Sequence, residues 1–219
     1  MNGGVAVYEV IGRLADIDEV RRVCRALAML DAVLSPEPEY RYFGFDARRS
    51  PTEELASMRS GGGDEYSIVF SPAGAIARGF DHESPLSPWQ PGVKESWPGL
   101  FIGVPDSLAA AIEAPDGDGR RDVTVCFWRT REDSSWQCGP VERGVRDGAD
   151  WLFEHVADGR PESYRQFARN VHEVELRLED IQHVYALRPL TEEVVYSLNP
   201  EAEFAALEAD RARIGYPRG

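Results

Sequence analysis

The residues best equipped for chemistry sit in two short runs, Asp64-Glu65 and Asp81-His82-Glu83-Ser84. An imidazole flanked by carboxylates has the composition of an acid/base pair or of an oxygen-and-nitrogen metal site. Whether the two runs meet depends on what lies between them. Residues 65–70 and 75–80 have the composition of strands, with Tyr66, Ile68 and Phe70 alternating along the first and Ile76, Arg78 and Phe80 sharing a face of the second. Ser71-Pro72-Ala73-Gly74 joins them as a turn. A hairpin turning at Pro72 and Ala73 lays residue 64 or 65 beside 80 or 81. Asp64, Glu65, Asp81, His82 and Glu83 then converge at its open end. Adjacent side chains on an extended chain point opposite ways, so 81, 82 and 83 need a sharp bend to share one ion. The competing reading is a turn in which Asp81 accepts backbone N–H groups and His82 faces water.

The hairpin is followed by a long irregular stretch, residues 82–103, of the kind that usually carries function. Pro85, Pro88 and Pro91 recur at the three-residue period of polyproline II, and Trp89 and Trp97 lie among them. Two tryptophans argue against a free chain. They either anchor a partner or fasten the segment to the body of the protein. Trp89, Trp97, Asp64, Glu65, Asp81, His82 and Glu83 are therefore the candidate partner-binding residues. His155, His172 and His183 stand at no ligand spacing, and there is no HExxH, GxSxG or Gly-x4-Gly-Lys motif. Gly61-Gly62-Gly63 runs into Asp64-Glu65, which would present negative charge to a phosphate. No catalytic residue, metal or cofactor is assigned.

The elements that position these residues follow from periodicity and punctuation. Residues 5–11 read as a short strand. Asp16 or Asp18 opens a helix whose apolar stripe is Ile17, Val20, Cys24, Leu27, Leu30 and Leu34, and the prolines at 36 and 38 end it. Residues 40–45 form an aromatic strand. Ser50-Pro51-Thr52-Glu53 has the form of a capping box and starts a short helix that buries Leu55 and Met58. Pro105 and Asp106 start a helix carrying Leu108, Ala111 and Ile112, and residues 115–119 form a turn. Residues 121–129 form the clearest strand. A hairpin centred on Glu132 would set Trp128 opposite Trp136 and Cys126 opposite Cys138 on one face, where an exposed Trp128/Trp136 pair would suit an assembly contact. The last third is helical, with Gly159 closing one helix, Pro161 and Thr191 opening others, and Phe204, Leu207, Arg211 and Ile214 marking the last. The expected fold is α+β, a single domain over residues 1–219. An antiparallel sheet built from hairpins packs with N-terminal and C-terminal helices.

Composition narrows the partners. The 219 residues include 24 basic and 38 acidic side chains, a net charge of -14, which repels phosphate backbones and anionic lipid and favours a basic partner. No nucleic-acid or membrane role is expected. Residues 1–13 lack a basic start followed by an apolar run, and three cysteines without a CxxC pair suggest no disulfide framework, so the expected location is cytoplasmic.

Gly63-Asp64-Glu65-Tyr66 and Gly79-Phe80-Asp81-His82-Glu83-Ser84 resemble motifs of a poorly characterised bacterial family of cytosolic α+β proteins. Residues 40–140 are also loosely similar to the Smi/Knr-type superfamily of cell-wall regulators and immunity proteins. That resemblance implies protein binding and carries over no catalytic residue. The reading is thus a non-catalytic intracellular protein-binding module, of immunity or regulatory type, engaging a basic partner. The alternative is a hydrolase or metal-dependent enzyme using the Asp64/Glu65/Asp81/His82/Glu83 cluster.

Overall fold

A computed structural model of the chain describes residues 6–93, 97–113, 122–141 and 146–218. In chain order, helices α1 (Ala6–Arg13) and α2 (Ile17–Leu34) precede strands β1 (Phe43–Asp46), β2 (Glu54–Arg59), β3 (Glu65–Ser71) and β4 (Gly74–Phe80). Helix α3 (Asp106–Glu113) comes next, then β5 (Val125–Thr130) and β6 (Gln137–Cys138). Helices α4 (Ala149–Leu152), α5 (Glu154–Asp158), α6 (Pro161–Phe167), α7 (Leu178–Tyr185), α8 (Glu192–Leu198) and α9 (Glu208–Ile214) complete the described α-helices. The fold is α+β: one antiparallel sheet of six strands in the order β1-β2-β3-β4-β5-β6, with helices before and after it. No described helix is long and apolar enough to cross a membrane.

The Asp16 side chain accepts the Glu19 N–H at 2.9 Å and so caps the start of α2. Its expected stripe is buried from Ile17 to Leu30, with Leu34 partly buried, and Ala26, Ala28, Met29, Ala32 and Val33 are buried with it. More than one face is covered because α2 lies between β1 and the C-terminal helices α5, α7, α8 and α9. Asp31, fully buried on α2, accepts the Tyr42 and Phe43 N–H groups at 2.7 and 2.8 Å. It also accepts the Tyr164 hydroxyl at 2.8 Å. One carboxylate thus satisfies backbone donors at β1, an edge of the sheet where they would otherwise be open to pairing with another chain.

Three expectations are corrected. The run at residues 5–11 is helical over its described part, α1, because Val7, Val10 and Leu14 recur at helical steps and are all buried. The apparent capping box does not start a helix. The Ser50 N–H donates to the Glu53 carbonyl at 3.2 Å, closing a turn, and residues 54–59 form β2. Pairing on both sides, with Ala56 and Met58 buried in alternation, outweighs the local signal. The last hairpin is shifted by one residue, since Phe127 pairs with Cys138 and Trp128 with Gln137. Asp133 sets the turn, its carboxylate accepting both the backbone N–H and the hydroxyl of Thr130. The one-residue shift places Cys126 and Cys138 on opposite faces, and all three cysteines are free. Trp128 and Trp136 are buried, Trp136 donating to the Ala15 carbonyl at 2.7 Å, so the pair offers no exposed contact face. The turn expected at 115–119 lies outside the described residues.

The sheet has two unlike faces. Phe43, Phe45, Met58, Tyr66, Ile68, Phe70 and Phe127 line a buried apolar face, against which Phe153 stacks on Tyr66 and meets Phe127 edge-on. On the other face α3 covers Val69 and Ile76 with Leu108 and Ala111. The rest of that face, toward β1 and β2, is recessed.

Candidate functional site

The first hairpin is placed as its sequence requires, with Glu65 paired to Phe80 and Ser71 to Gly74. This register brings the residues just outside it, Asp64 and Asp81, side by side. A tight loop holds Asp64 in position. Gly61 and Gly63 have φ of 79° and 108°, values that glycine adopts freely, and the Ser60 hydroxyl accepts the Gly62 and Asp64 N–H groups at 3.1 and 3.3 Å.

Asp64, Asp81 and His82 each place a potential ligand atom within 4.8 Å of the others. The Asp64 Oδ1 accepts the His82 backbone N–H at 2.9 Å and meets the His82 ring Nδ1 at 2.6 Å, and its Oδ2 accepts the Ser60 hydroxyl at 3.1 Å. The Asp81 Oδ1 accepts the Glu83 N–H at 2.9 Å, and its Oδ2 accepts the Trp151 indole N–H at 3.2 Å. All four carboxylate oxygens are therefore already hydrogen-bond acceptors. Asp64 is the larger cause of a His82 pKa raised above its ordinary value, because the bonded carboxylate favours the imidazolium; the Coulombic pull of Asp64, Glu83 and Asp81 adds to this.

Trp89 stands beside this pair. Its ring centroid lies 6.4 Å from that of His82 and 5.0 Å, edge-on, from that of Phe80. Its indole N–H donates to Asp122 at 2.9 Å, yet the side chain remains 53% exposed. The segment that carries it is a staircase of tight turns. Ser84, Ser87, Gln90 and Val93 each donate an N–H to the carbonyl three residues back, at Asp81, Ser84, Ser87 and Gln90. Pro85, Pro88 and Pro91 occupy the second position of successive turns, where their fixed φ is favoured. The three-residue proline period therefore reflects consecutive turns rather than polyproline II.

The structure thus joins Asp64, Asp81, His82 and Trp89. The side chains of the other candidates do not join them, although the Glu83 N–H donates to Asp81. Glu83 is exposed, Glu65 belongs to the open face of the sheet, and Trp97 is half-buried against the core beside Gly99 and the Pro140 carbonyl.

Sequence reasoning did not find the bolt beneath the cluster. Thr124, fully buried, accepts the Asp81 N–H at 3.1 Å and donates to the Asp147 carbonyl at 2.9 Å. Asp147 in turn accepts the Val7 and Ala149 N–H groups at 3.0 Å each, and burial raises its pKa. The Ser84 hydroxyl donates to the Arg146 carbonyl at 2.7 Å. Apart from the local Asp147–Ala149 bond, these contacts span 23 to 140 residues of sequence separation, and no local pattern announces them. The three cysteines offer no activated nucleophile: burial raises all three thiol pKa values, to about 12 at Cys126 and about 11 at Cys138. Comparison with protein-family models, with curated proteins and with solved structures finds no match to this chain.

Proposed function

We propose that the protein is a non-catalytic binding module of immunity or regulatory type, and that the corner formed by Trp89, His82 and Asp64 engages a basic protein partner. The observation that carries this reading is the state of Trp89. A large side chain is kept in solvent while the Asp122 hydrogen bond and the Phe80 ring fix its position. Ordering an indole costs binding energy, and one already ordered has met that cost in advance. The other exposed large side chains, Tyr40, Ile102, Val171 and Tyr196, are scattered and neutral in charge. Trp89 stands beside the Asp64–His82 carboxylate–imidazole pair. The net charge of -14 steers a positively charged surface toward the molecule.

The test is capture of partners from the cell that encodes the protein, at low and high salt, with Trp89→Ala beside the unaltered chain. The expected result is a basic protein retained at low salt, released by high salt and lost from the variant by ~30-fold or more in affinity, the scale of an interface anchor. Equal capture by both chains refutes the reading.

The metal-enzyme alternative is favoured by one observation, the 4.8 Å spread of Asp64, Asp81 and His82. Opposing it, a cation would have to compete with the Ser60, His82, Glu83 and Trp151 donors already on those oxygens. Saturable binding of Mn2+ or Zn2+ that broadens or shifts the His82 ring resonances would favour the enzyme and overturn the binding module.

A further inference from the structure

Of the histidines, His82 and His172 face the carboxylates of Asp64 and Asp31, and His183 faces the Pro189 carbonyl. His155 is different: its ring Nδ1 meets a hydroxyl, the Ser163 Oγ, at 2.7 Å. The local chain fixes this pairing. Helix α5 closes at Gly159, whose φ of 65° is one that glycine adopts freely, and after the extended residue Arg160, Pro161 starts α6. The start of one helix is thereby laid against the first turn of the next, and the Asp158–Arg160 pair at 2.8 Å straps the link. Phe43 and Phe167 hold the imidazole edge-on, with ring centroids at 5.7 and 5.0 Å.

Both residues are half-buried and line a cleft of about 620 Å³, a volume in the range of small-molecule sites. Trp151 and Phe167 give the cleft apolar lining. Asn170 and Val171 join it from residues Ala168–His172, which continue α6 as a π-helical turn, a geometry that recurs at functional sites. Glu154, Asp158 and Glu162 outnumber Arg13 and Arg160 along the lining, which disfavours an anionic ligand. Burial lowers the His155 pKa, so the ring is the uncharged base at neutral pH, although Glu154, Asp158 and Asp31 pull the other way. An imidazole in hydrogen-bond reach of a hydroxyl that opens on a cavity is the arrangement of an activated nucleophile. We infer that Ser163 is an acylation site, taking the acyl group of a neutral activated ester with His155 as its base. With the ring proton on Nε2, Nδ1 accepts the Ser163 O–H. That proton passes to Nδ1 as the Oγ–C bond forms; the ester C–O bond breaks, and the leaving oxygen takes the proton from His155 and departs as the alcohol. This covalent modification goes beyond the binding role of the Trp89 corner and uses none of its residues.

The probe is p-nitrophenyl acetate, incubated with the full chain near neutral pH. Release of p-nitrophenol is followed by absorbance, and peptide mapping by mass spectrometry locates the acetyl group without recourse to any variant. The expected result is acetylation of Ser163 at a rate ~100-fold or more above that of N-acetylserine amide in the same buffer, the scale of a positioned general base. His155→Gln, checked for folding by its thermal unfolding curve, keeps a hydrogen-bonding side chain but no base, and slows acetylation of Ser163 by ~100-fold or more. If that variant does not fold, the comparison with free serine decides alone. Ser163→Ala separates the hydroxyl from an imidazole that reacts by itself, and loses the fast release. The inference is overturned if the acetyl group is absent from Ser163, if Ser163 reacts no faster than free serine, if folded His155→Gln reacts like the unaltered chain, or if Ser163→Ala releases p-nitrophenol as fast.

Discussion

Replacing Thr124 by valine tests whether the Asp81 region is a mechanical bolt. The two side chains have nearly the same shape, so the substitution leaves no cavity and removes one hydroxyl. That hydroxyl accepts the Asp81 N–H at 3.1 Å and donates to the Asp147 carbonyl at 2.9 Å, in a side chain with 0% exposure. Both partners lose a bond where water cannot replace it. At about 1–3 kcal/mol for each stranded group, the expected loss is about 3 kcal/mol. For a chain of this size that is a fall in Tm of about 6–12 °C. Thr124→Ser provides the contrast. It keeps the hydroxyl and deletes a methyl, at a cost of about 1 kcal/mol. Guanidinium unfolding followed by tryptophan fluorescence, with calorimetry for Tm, gives both numbers. The hydrogen-bond argument demands that serine be better tolerated than valine. If valine is tolerated better, or costs under about 1 kcal/mol, the site is held by packing and the bolt is wrong.

Other consequences follow from the same contacts. Asp64→Asn removes the main cause of the raised His82 pKa, so NMR titration of the ring should find it lower in the variant. In the unaltered chain the favourable contribution of His82 is complete below the unfolded-state pKa and is lost as pH rises through the raised folded value; this slope should flatten in Asp64→Asn. His155 runs the other way. Burial lowers its pKa, and it sits edge-on to Phe43 and Phe167, so stability falls as pH drops below its ordinary pKa toward the folded one. His155→Phe should lessen that acid-side loss in pH-dependent denaturation. Thiol labelling at mildly alkaline pH should find no fast-reacting cysteine in the folded chain and three in denaturant, and more than one rapid thiol would contradict the burial of Cys24 and Cys126, since Cys138 alone of the three is partly exposed.

Where the structure agrees with the sequence, local chemistry and tertiary pairing point the same way. The Ser71–Gly74 turn between alternating strands fixed the β3–β4 register, and with it the meeting of Asp64 and Asp81. The long helix was legible because its stripe, its Asp16 cap and its proline stop all agree. Residues 50–59 misled because a capping-box pattern and a strand both suit Glu53 to Arg59, and two paired neighbours decided the matter. The β5–β6 shift turned on Asp133 bonding Thr130, a contact that counting from Glu132 does not reveal. The recess on the open face of the sheet was hidden for another reason. Ser57 and Ser67 are ordinary serines until the register sets them in line with Gly44 and Arg78.

Asp, His, Ser and Thr serve active sites and irregular loops for the same reason: they carry compact donors and acceptors close to the backbone. An Asp-His-Glu-Ser run after a strand therefore signals that polar atoms are concentrated there and leaves their use open. Hydrogen-bond accounting bears on that use. In a reaction centre some acceptors are held back for substrate, whereas here Asp64 and Asp81 have a donor on every carboxylate oxygen, and Ser84 and Thr124 each bind a backbone carbonyl. The exposed groups at this corner, the Trp89 face and the His82 ring edge, are those left over once the loop has been secured. A surface whose scaffold uses its polar atoms and whose periphery presents a fixed aromatic is consistent with the contact role proposed for it.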